Sequence, residues 1–288
     1  MLGLFAACSK PAETTDQAAQ DSVAVAPAPL ATLEQAWVTD TVFRTPEAVL
    51  YDATTDFAYV ANINGVNANK KDGDGFISRL KLDGTVSDLQ WVKGLNDPKG
   101  MGIFGGKLYV SDITEVVVID LATGKVDRKI AAENAKFLND VAVDANGKVY
   151  ITDSSNNRVY TLENGKISQL METPDLDKPN GLFADGADML IVSMNKGELY
   201  TLNPDQTLTM KATGLPGADG IAKTEKADYL VSNWNGEVSY VTAAGQVEKI
   251  LDTKEAKINA ADIDYAPAAQ LLLVPTFFDN RVFAYRLK

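Results

Sequence analysis

Along most of this chain, apolar and polar positions alternate in short bursts, each ended by a pair of turn-forming residues. "KVYIT", "KLYVS" and "DYLVS" are β-branched and aromatic runs of strand length. Asn146-Gly147, Asn164-Gly165, Asp83-Gly84, Thr123-Gly124 and Ala244-Gly245 separate such runs and mark tight turns between strands. No stretch longer than about two helical turns keeps a helical apolar period with caps. The pattern predicts an all-β protein.

One phrase, an apolar run, a turn and a second apolar run, recurs six times. The copies are "PEAVLYDATTDFAYVAN" (46–62), "KGMGIFGGKLYVSD" (99–112), "NDVAVDANGKVYITD" (139–153), "NGLFADGADMLIVS" (180–193), "DGIAKTEKADYLVSN" (219–233) and "ADIDYAPAAQLLLVP" (261–275). Aligned, they stack Glu47, Lys99, Asn139, Asn180, Asp219 and Ala261 in one column, spaced 52, 40, 41, 39 and 42 residues apart. A period of about 40 residues built from short strands is the mark of a β-propeller with four strands per blade. The sixth unit reaches Lys288 after three strands, and "LEQAWVTDTVF" (33–43) can supply the fourth. That pairing would remove the open edges of an unclosed ring. The expected fold is a six-bladed β-propeller over residues 33–288, its last blade closed by the N-terminal strand.

Charge and residue types narrow the chemistry. The 288 residues carry 39 acidic against 27 basic side chains, a net −12 with no basic block, which argues against a nucleic-acid partner. There is no histidine. That excludes histidine general bases, Ser-His-Asp arrangements and histidine-ligated metals. A metal would have to be held by oxygen, as calcium, magnesium and manganese are. The single cysteine, Cys8, has no partner for an internal disulfide. Its setting, "LGLFAACSK", resembles the lipobox of bacterial lipoproteins, although seven residues precede it where an apolar h-region alone takes about 7–15. Residues 1–8 are read as a lipoprotein signal remnant. The following "SKPAETTDQAAQDSVAVAPAPLAT" (9–32), rich in Ala, Pro, Thr and Asp, is read as a disordered tether. This predicts a periplasm-facing lipoprotein of the bacterial cell envelope, touching the membrane through a lipid at Cys8. No later stretch reaches the ~18 apolar residues of a spanning helix.

In a propeller the first strand of each blade lines the central channel, so the aligned column should ring one mouth of it. Turn chemistry explains Asn, Asp or Gly at any one of these positions. Four oxygen-bearing side chains converging on one axis would instead repel or go unsatisfied without a cation or water among them. Second strands end on the same face, bringing Asn62, Asp112, Asp153, Asn195, Asn233, Trp234, Phe277 and Phe278 to the rim. Aromatics beside polar groups suit a partly apolar organic ligand, or simply pack the rim. Two other motifs fail. "GMGIFG" (100–105) has the letters of a dinucleotide fingerprint, but a strand follows it where a helix is needed. "KDGDGFI" (71–77), read as a calcium loop, places Lys70 and Lys81 where carboxylates are required. It reads as a hairpin turn within an insertion, "NINGVNANKKDGDG", near the channel mouth.

Four pieces in order, "TPEAV" with Glu47, "LNDV" with Asn139, "PNGL" with Asn180 and "ADGIA" with Asp219, resemble the senescence marker protein/gluconolactonase/luciferin-regenerating (regucalcin-like) family. The resemblance covers roughly residues 33–288. It implies a six-bladed propeller with one divalent metal in the channel, held by Glu47, Asn139, Asn180 and Asp219. Calcium is the first expectation, with magnesium, manganese or zinc as alternatives. The chain departs from the family pattern twice. Ala48-Val49 stands for the Gly-Pro after the first Glu, and Phe137 stands for an Arg that holds sugar lactones. The implied function is metal-dependent hydrolysis of a small-molecule lactone or related ester by a monomer. Asp219 or Asp140 would be the general base, with Asn62, Lys99, Asp112, Phe137, Asp153, Asn233 and Trp234 as substrate contacts. The alternative is a non-catalytic envelope propeller presenting its face to a protein, peptide or glycan.

Overall fold

The computed structural model describes residues 1, 3–4, 28–65 and 69–288. Cys8 and most of the expected tether lie outside the described residues. The chain forms six antiparallel sheets of four strands. From the axis outward, the first blade is Pro46–Asp52, Phe57–Asn62, Gly75–Lys81 and Val86–Leu95, and the second is Pro98–Phe104, Lys107–Asp112, Glu115–Asp120 and Lys125–Ala131. The third is Leu138–Val143, Val149–Asp153, Arg158–Glu163 and Lys166–Glu172, and the fourth Pro179–Asp185, Asp188–Ser193, Glu198–Leu202 and Leu208–Thr213. The fifth is Ala218–Lys223, Tyr229–Asn233, Glu237–Val241 and Val247–Asp252. The sixth takes Asp264–Ala266, Leu271–Pro275 and Val282–Leu287 from the C-terminal end and Leu33–Val38 from the N-terminal end. The chain is a six-bladed β-propeller, with no α-helix among the described residues.

The core lies between blades rather than within one. Leu190, Val192 and Leu199 of the fourth blade pack on Ala218, Ile221 and Val231 of the fifth, and equivalent clusters fill the other junctions. Phe43, Val49 and Leu80 meet Leu271, Leu273 and Val282 where the first blade abuts the last. Because each sheet is covered on both faces, "LLLVP" (271–275) is buried throughout instead of alternating. Each large apolar side chain so buried contributes about 1.5–3 kcal/mol.

Leu33 pairs with Leu287, Gln35 with Tyr285 and Val38 with Phe283. The Trp37 indole N–H donates to Leu82 O at 2.7 Å, tying the closing strand to the first blade. Two boundaries differ from the sequence expectation. The closing strand stops at Val38, and Phe43 turns inward to fill the junction of the first and last blades, fully buried. The expected tether 9–32 also ends early. Leu30 N donates to Glu248 Oε2 at 2.7 Å, Ala31 is buried, and Thr32 N donates to Lys288 O at 3.0 Å.

One irregularity positions the channel side chains. In the second to fifth blades the pairing of the two inner strands slips, from Pro98–Asp112 to Met101–Val110, Leu138–Asp153 to Val141–Ile151, Pro179–Ser193 to Leu182–Ile191, and Ala218–Asn233 to Ile221–Val231. Lys99-Gly100, Asn139-Asp140, Asn180-Gly181 and Asp219-Gly220 are therefore bulged pairs. Glu47 is likewise the extra residue between Pro46–Asn62 and Ala48–Ala61. A bulge breaks strict in-out alternation and re-aims side chains. Here it directs the aligned column at the axis.

Closure should carry much of the stability. Trp37→Ala, removing a half-buried ring and its hydrogen bond, is expected to cost about 2 kcal/mol in urea unfolding. Deleting residues 9–38 should abolish the cooperative transition, whereas deleting 9–27 should leave it in place. Equal melting of the two truncations would refute the closure.

Candidate functional site

Five of the six column residues meet. Glu47, Lys99, Asn139, Asn180 and Asp219 line one cavity of 250 Å³ at the end of the channel, completed by Ile63, Gly65, Phe137, Lys178, Met194, Trp234 and Phe277. Ala261, the sixth, is fully buried outside that lining. The wall thus combines oxygen-bearing side chains, two lysines, and apolar and aromatic groups.

The carboxylates here are held at a cost. Burial raises the Glu47 carboxyl well above its ordinary range, with Lys99 opposing and Asp219, Asp140 and Asp97 adding to the rise. Its Oε2 has no hydrogen-bond partner. Burial, reinforced by the charge of Asp140, pushes Asp219 up to about 7, while a hydrogen bond from Asn180 and the charge of Lys178 oppose the rise. Lys99 does not neutralise these two acids. Its Nζ lies 2.9 Å from Asp97 Oδ2 and donates to Asp97 O at 3.2 Å, 5.0 Å above the Phe137 ring. Asp97 Oδ2 also accepts from Asn69 N at 2.6 Å, so the insertion docks at the mouth through this buried pair. With Lys99 paired to Asp97, its opposition at Glu47 is only partial, as is that of Lys178 at Asp219, and both carboxyls stay raised. Two buried carboxylates and two amides facing one cavity, one carboxylate oxygen unpartnered, are the donor set a hard divalent cation takes. The residues present fit such an ion.

Asp140 belongs one layer below. Its Oδ1 accepts from Val141 N at 2.6 Å and its Oδ2 from Leu182 N at 2.5 Å. It lines a second cavity of 350 Å³ at the opposite end of the channel, with Asp262 and Asp264 and an apolar ring that includes Val49, Met101, Leu182 and Ile221. Burial raises Asp140 to about 6, and its hydrogen bonds from Leu182 N and Val141 N limit the rise. Asp262 is raised by burial and then by Asp140 and Glu47. A Cβ on Gly100 would overlap the Asp140 carboxylate, and one on Gly220 the Asp262 carboxylate, so glycine at the second bulge position makes room for this lower pair. The general-base role expected for Asp140 is not available in the mouth cavity, because its carboxylate is committed to backbone N–H groups and opens to the other end.

Four of the expected substrate contacts are spent elsewhere. Asp112 accepts from Asn96 N at 2.9 Å and Asp97 N at 2.7 Å, and Asp153 accepts from Lys136 N at 2.9 Å and Phe137 N at 3.1 Å. Asn62 accepts from Arg44 N at 2.9 Å, while Asn233 accepts from Asn235 N and donates to Glu237. These are loop clamps at the ends of second strands, buried and outside the cavity. Lys99, Phe137 and Trp234 do line it. Sequence reasoning missed Asp97, Lys178, Met194 and Asp262. Asp262 had a signal, since it follows Ala261 as Asp140 follows Asn139.

The NHL repeat family profile matches residues 137–159, the head of the third blade. No curated protein matches the sequence. Among solved structures, the chain is similar to a catalytically inactive histidine-to-alanine variant of virginiamycin B lyase from Staphylococcus aureus with quinupristin. The two share 13% identity over 89% of this chain and 99% of that one, at TM-score 0.64. A streptogramin B lyase structure matches at 10% identity over 90% and 98%, TM-score 0.67. A chain of a nidogen/laminin complex matches at 18% over 76% and 84%, TM-score 0.62. These likenesses establish the propeller.

The buried acids set a pH dependence. Asp219, Asp140 and Asp264, at about 7, 6 and 6 when folded, lose their protons near pH 4 when unfolded. The unfolded state therefore binds fewer protons between about pH 4 and 7, and stability falls as pH rises through that window. Metal-free protein should melt higher at pH 5 than at pH 8, and Asp219→Asn should shrink the difference. A melting temperature that does not change from pH 5 to 8 would contradict the burial of these charges.

Proposed function

We propose that the protein is a metal-dependent hydrolase of a lactone or related ester, the activity implied by its resemblance to the gluconolactonase group. The observation that carries this reading is the mouth cavity itself, where Glu47, Asn139, Asn180 and Asp219 converge beside an apolar wall and Glu47 Oε2 lacks any partner. Glu47, Asn180 and Asp219 would hold one divalent cation, calcium first. When bound, such an ion polarises a carbonyl and acidifies a water. Asn139, whose Nδ2 donates to Ser154 Oγ at 3.1 Å, keeps its carbonyl oxygen for that water or the substrate. Phe137, Met194 and Trp234 exclude solvent around the acyl group. With no histidine in the chain, a mouth carboxylate must take the water's proton, and Asp219 is the one assigned. The lyase neighbours do not lend their chemistry directly, since the histidine replaced in the inactive variant has no counterpart here.

A second reading, a non-catalytic envelope propeller, draws on the rim. Phe278 is 52% exposed and stands edge-to-face with Trp234 and Phe277 at ring separations of 5.8 and 4.8 Å, a surface that can seat a partner's apolar group. The proposed setting is the bacterial envelope, with the protein a monomer held by lipid at Cys8.

Calcium titrated into metal-free protein should raise its stability, by about 2.7 kcal/mol at a hundredfold excess over Kd. Glu47→Gln and Asp219→Asn should each remove most of that gain. Lactone and ester hydrolysis should vanish with it. Stabilisation without turnover of any lactone or ester would leave the binding reading. For the anchor, Cys8→Ala should move the protein from membrane to soluble fractions, and wild type recovered without acyl mass would end that assignment.

A further inference from the structure

The position two residues before the column has its own backbone demand. It is left-handed in three blades, at Thr45 (φ 50°), Lys178 (φ 57°) and Gly217 (φ 71°). Glycine adopts this conformation freely, and a long side chain does so at a cost. In the fifth blade the chain meets the demand with Gly217. In the fourth it places a lysine there, half-buried and lining the mouth cavity. Lys178 N donates to Asn157 Oδ1 at 2.9 Å, but among the described residues the ammonium has no ion-pair or hydrogen-bond partner. Its charge reaches the site, where it acts on Asp219.

Phe277 repeats the pattern. It lines the same cavity and also has a left-handed backbone, at φ 46°, which is a rare state for a bulky aromatic. Its ring meets Trp234 edge-on at 5.3 Å. Two unfavourable backbone states thus present a cation and an aromatic ring to one cavity, and such outliers gather where a side chain is needed for function. Lys99, the other lysine of the wall, is already paired with Asp97.

We propose that the mouth cavity selects molecules joining a flat apolar ring to an anionic group, with Lys178 pairing the anion and Phe137, Trp234 and Phe277 enclosing the ring. The proposal rests on the cavity assigned under the hydrolase reading and narrows its substrate class to acidic aromatic lactones and esters. A half-buried pair with an ammonium that has no ion-pair partner among the described residues exceeds an exposed surface pair in strength.

The test is equilibrium binding, not turnover. Phenylacetate and its neutral counterpart phenylacetamide are titrated into the full chain by calorimetry, once in calcium and once in chelator. Lys178→Gly keeps the left-handed backbone accessible, so the variant should melt no lower than wild type. Phenylacetate should bind wild type about tenfold more tightly than the amide. Lys178→Gly should abolish that preference, and Lys178→Arg should retain most of it. Equal affinity for acid and amide, no effect of Lys178→Gly, or failure of both compounds to bind in either buffer would overturn the proposal. Loss of hydrolysis alone bears on the catalytic reading and leaves this one standing.

Discussion

Every sheet in this molecule is apolar on both faces, and neither face can be left to water. A single four-stranded sheet cannot satisfy that condition and neither can an open row of them, since the two ends would each expose a face. The ring is the arrangement that satisfies it, and the apolar clusters between successive blades are its expression. Side-chain volumes at the junctions fix the angle between neighbouring blades. That angle in turn brings the inner strands close enough for their bulged heads to share one cavity.

Closing the ring forces polar groups on the inner strands into a narrow, dehydrated space. The fold meets most of this demand internally. Backbone N–H groups hold Asp140 and Asp264, and Lys99 matches Asp97. Glycines at the second bulge position leave room for the lower carboxylates. The compensation is incomplete at the mouth. There Glu47 keeps an oxygen without a partner, and only the Asn180 amide and the charge of Lys178 oppose the rise at Asp219. The mouth, where Glu47 Oε2 is unmatched, also has Phe137, Trp234 and Phe277 in its wall.

Much of this was legible in the chain. The repeat of about 40 residues specified blade number, and the shortfall of one strand after Pro275 specified how the ring closes. The column of Glu47, Asn139, Asn180 and Asp219 was visible because bulge position and residue type recur together. Residue type alone could not separate a site from a clamp. Asp112 and Asp153 are spaced like the column residues and have the same chemistry, but their oxygens accept from loop N–H groups, and which donors surround an acceptor is settled only by packing. Lys178 was hidden for a different reason, since its meaning lies in a backbone angle. The strand expected to run to Phe43 stopped at Val38 because an aromatic there fills the blade junction better than it pairs at an edge.

The closing contact also orders events during synthesis. Glu34 and Lys288, which pair across the seam, are 254 residues apart in sequence. The closing strand Leu33–Val38 therefore has no partner until Val282–Leu287 has been made, and the face of the first blade that packs on the last waits with it. Loop closure over that distance is entropically demanding, and non-local β pairing of this kind is slow. Until it occurs, unpaired strand edges and uncovered sheet faces coexist on a nascent chain, the condition in which β proteins associate with one another. The same seam that completes the last blade makes its precursor the molecule's most aggregation-prone state.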